Sequence, residues 1–404
     1  MNEEKKKRKI KIKPWSKKKI IAALAIIAVL GSIIAYVYYF FMIVPTFEVP
    51  TLLKDTNTDP AVYETGEEMY EKLGNRFPYW FRKAIEYYGE GEIKDTLLND
   101  YTVVIPGLKA TKTINYESGT GDMCTSMVPQ GLGISEDYIF VSAYCYTHQH
   151  NSVIYVLNNE TGEYVKTITL PNKTHAGGLA YDPENHILWV SDKIKKKASV
   201  SGMTIEAIKA YDNSLETPIE YIYRCPLDGL NAASYITYYN EQLIAGYFSG
   251  RDTSRMKTYQ IKKDGSVNSK VKYKNKLSGY IQGATFDDFA AALSESYGPF
   301  NSEIQLFLPE DFADAPDYYD FSAENARYRV SDNQKLEQIV LVEYYGYRRL
   351  CLLYESAAFP YRIRNKGHID RIIIVPEALV DDLIEKSEQG LIDLSDYQLD
   401  ERID

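Results

Sequence analysis

The sequence predicts an all-β chain, a β-propeller of five blades with six as the alternative. One transmembrane helix and a small helical segment precede it. Three observations predict this. Short strand-like runs crowd residues 101–375. One phrase recurs there at blade-sized intervals. A single 25-residue stretch, Ile20–Val44, carries no charge.

The N-terminal region comes first. Residues 1–19 hold ten Lys or Arg and two Glu. The uncharged segment that follows is long enough, at about 1.5 Å per helical residue, to cross a hydrocarbon core roughly 30 Å thick. It exceeds the roughly 7–15 apolar residues of a secretory signal peptide, and no small-residue cleavage site follows it. The expectation is a signal-anchor with residues 1–19 in the cytoplasm and the rest outside the cell. Tyr36, Tyr38 and Tyr39 fall at the outer end, where aromatic residues favour the membrane–water boundary.

Charge narrows the function classes. Outside residues 1–19 the chain carries 36 basic and 54 acidic groups. Phosphate affinity rests on clustered Lys and Arg, so this acidic body argues against a nucleic-acid partner. Four Cys in 404 residues exclude a scaffold built on disulfides. The sequence lacks G-x-S-x-G, H-E-x-x-H, a phosphate-binding P-loop, G-x-G-x-x-G and C-x-x-C, which argues against the chemistries those motifs serve.

Residues 45–100 read as a Pro-containing spacer and a helical stalk. Tyr63, Met69, Leu73, Phe77, Trp80, Phe81, Ile85 and Leu97 give broken helical spacing. From Tyr101 to Val375 β-branched and aromatic runs alternate with Gly, Asn, Asp and Pro, the pattern of many short strands. Tyr is abundant, 36 against 14 Phe and 3 Trp, and suits strands with one wet edge.

The recurring phrase is a polar residue, then Gly or Ala, then an apolar strand. It stands at Gln130-Gly131, His175-Ala176-Gly177-Gly178, Asn231-Ala232-Ala233, Gln282-Gly283 and Glu337-Gln338. Markers at 130, 177, 233, 282 and 338 are 47, 56, 49 and 56 residues apart. A four-stranded blade with its loops needs about 40–50 residues. The interval after Gln338 has room for about three strands before Pro376, so Tyr101–Ile105 is expected to complete the fifth blade. A sixth blade fits between Asp287 and Leu336. Residues 376–404, with ten acids and two bases, read as an amphipathic helix and an acidic tail.

The phrases V-P-Q-G-L-G-I-S, H-A-G-G-L-A-Y-D, N-A-A-S-Y, I-Q-G-A-T-F with A-L-S-E-S-Y-G, and L-E-Q-I with L-L-Y-E-S-A-A-F-P-Y-R resemble a family of uncharacterised bacterial β-propeller proteins. Its members are secreted or membrane-anchored. The resemblance covers about residues 125–375. The pattern is also distantly similar to strictosidine-synthase-like and gluconolactonase-like propellers. It implies the fold and carries no activity.

Ring closure should bring Gln130, His175, Asn231, Gln282 and Glu337 to one channel mouth as a ligand-binding set. S-E-S-Y at 294–297 and Y-E-S-A at 354–357 echo each other in neighbouring repeats. Glu295, Glu337 and Glu355 are therefore the candidate catalytic carboxylates, should the mouth cleave a glycan. Asn231 with Glu337 or Glu295 would serve a Ca²⁺ site for lactone or ester hydrolysis. The leading expectation is a binding or interaction module facing a cell-envelope glycan or protein, with hydrolysis as the alternative. His148-Gln149-His150 reads as a solvated loop, and Asp311, Asp314, Asp317 and Asp320 as a surface loop; no metal ligands are assigned. Cys124 and Cys145 can pair or stay as buried thiols, and Cys225 and Cys351 carry no assignment.

Overall fold

The computed structural model describes residues 16–38, 55–73, scattered positions from 83 to 100, and most of 101–391. The spacer before residue 55, much of the expected stalk, Asp311, Asp314 and Asp317, and most of the helix expected after Pro376 lie outside the described residues.

Two units make up the chain, divided at Phe47–Glu48. In the first, Lys17–Tyr38 forms a helix of 22 residues, uncharged after Lys19 and with no buried residue. Among the described residues it is the one helix long and apolar enough to cross a membrane.

The second unit is a five-bladed β-propeller. In blade 1 the strands Met127–Ile134, Tyr138–Cys145, Val153–Asn158 and Tyr164–Thr169 pair in that order. Blade 2 follows with Leu179–Asp182, Ile187–Ile194, Lys197–Thr204 and Tyr223–Pro226. Blade 3 comprises Tyr235–Tyr239, Gln242–Gly246, Arg255–Ile261 and Val267–Leu277, with the short strand Asp320–Phe321 added in parallel at its edge. Blade 4 is Ile281–Phe286, Ala291–Glu295, Ser302–Phe307 and Tyr328–Asp332. The interval wide enough for a sixth blade thus holds the outer strands of blade 4. Blade 5 has Leu336–Tyr344, Tyr347–Tyr354 and Arg371–Pro376, and Thr102–Val104 completes it antiparallel, pairing Thr102 with Ile373. This closing strand, outermost in blade 5, joins the start of the ring to its end.

Strand alternation builds the core. Neighbouring residues of a strand point to opposite faces, so each second strand feeds two blade interfaces. Phe140 packs toward blade 2 and Val141 toward blade 5. Leu243 packs against blade 2 and Ile244 against blade 4. Leu352 and Leu353 divide in the same way between blades 4 and 1. Each of the five interfaces carries its own apolar cluster, which is why these strands read as continuous apolar runs.

The small residues of the recurring phrase sit where inner strands converge on the axis. A Cβ on Gly178 would lie 2.4 Å from the Ile236 nitrogen of blade 3, and one on Gly283 would lie 2.9 Å from Gln338 Cα of blade 5. Nothing larger than hydrogen fits there. Residues 55–73 pack against this ring. The Asp370 carboxylate accepts from Val62 and Tyr63 N–H at 2.9 Å each, and Tyr63, Met69 and Leu73 enter the core between blades 4 and 5.

Candidate functional site

The inner strands of blades 1, 4 and 5 break register at the same place. The shifts fall between Pro129 and Gly131, between Ile281 and Gly283, and between Leu336 and Ile339. A bulge leaves one residue out of the ladder and re-aims its side chain. The displaced residues include Gln130, Gln282 and Glu337, three of the five predicted mouth residues. Blades 2 and 3 pair their inner strands without a shift. His175 and Asn231 lie in exposed positions before those strands.

At this end of the axis the side chains of Glu337 and Glu355 hydrogen-bond each other. Both residues are 4% exposed. Gln130 Nε2 donates to Glu355 Oε2 at 3.0 Å, from 225 positions away in sequence. Lys335 Nζ lies 3.3 Å from Glu355 Oε1 and 4.4 Å from the centre of the Tyr361 ring. Burial, then the Glu355 charge, pushes the Glu337 carboxyl well above the ordinary range. Burial also raises Glu355, against the pull of Lys335. Two carboxyls in contact cannot both ionise cheaply, so each disfavours the charged form of the other.

Aromatic rings surround the pair. Tyr144 hydrogen-bonds Tyr361 and packs on His175 with ring centres 4.2 Å apart. Across the mouth, from blades 3 and 4, Tyr280 meets Tyr297 at 4.4 Å and Phe248 at 5.9 Å. Phe248 and Tyr297 are 36% and 51% exposed. The strand ends fix this placement: Tyr280 precedes an inner strand, and Phe248, Tyr297, Tyr144 and Tyr361 follow or end second strands running back toward the same mouth.

Glu295 stands apart from the pair. It points to the other face of its strand and accepts from Gln305 Nε2 at 2.8 Å. Asn231 is exposed in the loop before the inner strand of blade 3. Gln282 is half-buried in its bulge. Lys335, Tyr144 and Tyr361 were not foreseen as site residues. A lysine two positions before Glu337 was the available signal.

The channel is closed below this mouth by Gln338. Its Oε1 accepts from Leu132 N at 3.1 Å and Leu179 N at 2.9 Å. Its Nε2 donates to Leu179 O at 2.7 Å and Ile236 O at 3.0 Å. One amide therefore ties blade 5 to blades 1, 2 and 3. Beyond it the opposite mouth opens into a cavity of about 550 Å³, lined in part by Tyr181, Tyr238 and Phe286.

The histidines of the blade 1 loop separate. A positive φ of 55° at His148 breaks the extended alternation, and the ring stacks beside Tyr144 at 5.9 Å. His150 turns inward and is 7% exposed, a correction to its reading as solvated. All four cysteines are buried free thiols.

No protein-family model matches the chain, and no curated protein matches it. Among solved structures it is similar to hydrazine synthase of Kuenenia stuttgartiensis, at 13% identity and a TM-score of 0.33. This chain spans 55% of the length of that one. It is also similar to RS223-β-xylosidase, at 9% identity and TM-score 0.38 over 62% of this chain and 92% of that one. The GH43_1 enzyme from Xanthomonas citri gives 8%, 0.39, 62% and 87% in the same order. At such identities the likeness concerns architecture and says nothing of activity.

Proposed function

We propose that this chain is a single-pass, membrane-anchored binding module whose propeller faces the cell envelope outside the membrane and takes a glycan at the carboxyl-pair mouth. The observation that carries the reading is an aromatic arc, with Phe248 and Tyr297 exposed and Tyr280 half-buried between them, at the same mouth as the pair of acids. Aromatic faces stack on the apolar faces of sugar rings, while acids and amides at the rim address hydroxyls. The Lys-rich residues 1–19 ahead of the apolar helix support an inward N-terminus. Tethering raises local concentration at the surface, so modest affinity suffices.

The carboxyl pair argues for binding over glycan hydrolysis. Glycosidases hold their two carboxyls about 5–9.5 Å apart, so that sugar or water fits between them. Here Glu337 and Glu355 touch, and Gln130 and Lys335 occupy the rest of Glu355.

The test uses the full chain in detergent micelles against purified envelope polysaccharide and peptidoglycan fragments. Specific binding is expected, weakened about 2–10-fold by Tyr280→Ala or Tyr297→Ala. Retained folding with no binding to any glycan fraction defeats the proposal. Release of reducing ends, lost in Glu337→Gln, favours the hydrolase instead.

A further inference from the structure

Three elements that are separate in sequence converge where the second strand of blade 1 ends, beside the start of its inner strand. The hairpin Thr111–Ile114 and Gly121–Cys124 ends at Cys124. The second strand of blade 1 ends at Cys145. The following loop supplies His150, which bridges to Asn115 of the hairpin. Cys124 Sγ, Cys145 Sγ and a His150 ring nitrogen all lie within 4.8 Å of one another. The three residues are 0%, 1% and 7% exposed.

We propose that Cys124, Cys145 and His150 form a structural site for a thiophilic divalent metal ion, zinc before others, which fastens the 111–124 hairpin to blade 1. The proposal is independent of what the channel mouth binds.

The donor set and its spacing support a tetrahedral ion. Zinc binds Cys sulfur at about 2.3 Å and His nitrogen at about 2.0–2.1 Å, so tetrahedral S and N ligands stand about 3.6 Å apart. Cys145 Sγ and His150 Nδ1 stand 3.4 Å apart. Thiolate and imidazole together select zinc over calcium or magnesium. The other ring nitrogen, Nε2, lies 3.1 Å from Asp122 Oδ2. A carboxylate behind a ligating imidazole fixes its tautomer and orientation, the usual support of a zinc-bound histidine. Ser126 Oγ lies 3.7 Å from Cys124 Sγ and 3.6 Å from Cys145 Sγ, placed for the fourth position, directly or through water.

The charge balance is simple. Two thiols lose their protons to solvent on binding M²⁺, and imidazole binds through Nδ1 while Nε2–H stays on Asp122. The bound thiolates are then protected from oxidation in an extracytoplasmic setting. A Cys124–Cys145 disulfide needs an oxidant and would remove both sulfur ligands.

The full chain, purified in detergent under reducing conditions without chelator, is expected to carry one zinc per chain by elemental analysis. Replacing zinc by Co²⁺ should give intense tetrahedral d–d bands and thiolate-to-cobalt charge transfer. Asp122→Asn keeps all three ligands and should weaken the metal about 10–100-fold in competition with a chromogenic chelator. Cys145→Ser should at least halve the charge-transfer band, while Cys225→Ser and Cys351→Ser leave it intact. The cobalt spectrum of the unsubstituted chain reads the site even if Cys145→Ser fails to fold. A folded, reduced chain that takes up neither ion overturns the proposal, as does a Cys124–Cys145 disulfide in chain isolated from its membrane.

Discussion

The amide of Gln338 in blade 5 holds both backbone groups of Leu179 in blade 2, accepting from its N–H at 2.9 Å and donating to its C=O at 2.7 Å. The two residues are 159 positions apart and face each other across the propeller axis. With Leu132 and Ile236 they make a hub in which both N–H donors and both acceptor sites of the Gln338 amide are committed.

Replacing Gln338 by Leu should leave two buried N–H groups and two carbonyls without that partner. The expected loss is about 2–4 kcal/mol in chemical denaturation of the full chain in detergent. Gln338→Glu should be no milder, because a carboxylate cannot donate to the Leu179 and Ile236 carbonyls. A loss within error for both variants would show that water takes over the hub.

The Glu337–Glu355 pair sets a pH dependence. Both carboxyls lie above the ordinary Glu value of 4.5, Glu337 first by burial. The native chain therefore holds a proton that the unfolded chain has released. The resulting stabilisation is complete below about pH 4.5 and declines as pH rises through the elevated range. Glu337→Gln keeps a hydrogen bond to Glu355 without the second charge. It should raise stability at pH 7 by on the order of 1 kcal/mol and flatten the slope. Denaturation midpoints from pH 4 to pH 8 check this, and an unchanged slope sinks it.

Asp332 adds a second titration with a defined window. Burial raises its pKa from 3.8 to about 6, although Tyr354 Oη donates to it at 2.8 Å. The sign is the same as for the pair. Up to about 3 kcal/mol is present below pH 4 and lost as pH rises through 6. Asp332→Asn should abolish that part of the profile while keeping an acceptor for Tyr354. The difference between the two profiles is the measurement.

Asp370 anchors residues 55–73 to the ring. It is fully buried, pairs with the buried Arg371 and accepts from two backbone N–H groups. Asp370→Ala leaves Arg371 charged and unpartnered by a carboxylate, at a cost of about 3–5 kcal/mol. Limited proteolysis should then cut within 55–73 before the blades. Unchanged protection there would contradict this anchoring role.

Much of the architecture was legible in the sequence because its causes are local. The uncharged run after a Lys-rich segment defined an apolar rod. Apolar runs broken by turn residues defined strands, and the recurring small residues defined where strands meet the axis. The deficit of strands after Gln338 even indicated that Tyr101–Ile105 closes the ring. The site was only half legible. Gln130, Gln282 and Glu337 stood out because they repeat, and each falls at a register shift of its inner strand. Glu295 was linked to Glu355 by the similar phrase around it, yet one step of strand alternation turns it to the opposite face.

The sequence by itself determined a rod, a blade-sized period and a closing strand, since hydropathy and turn chemistry act over a few residues. Only the tertiary structure decided that Glu355 meets Gln130, that Gln338 seals the channel, and that Cys124 joins Cys145 and His150. Those meetings depend on closing a ring of some 270 residues and on bulges whose register no local pattern records.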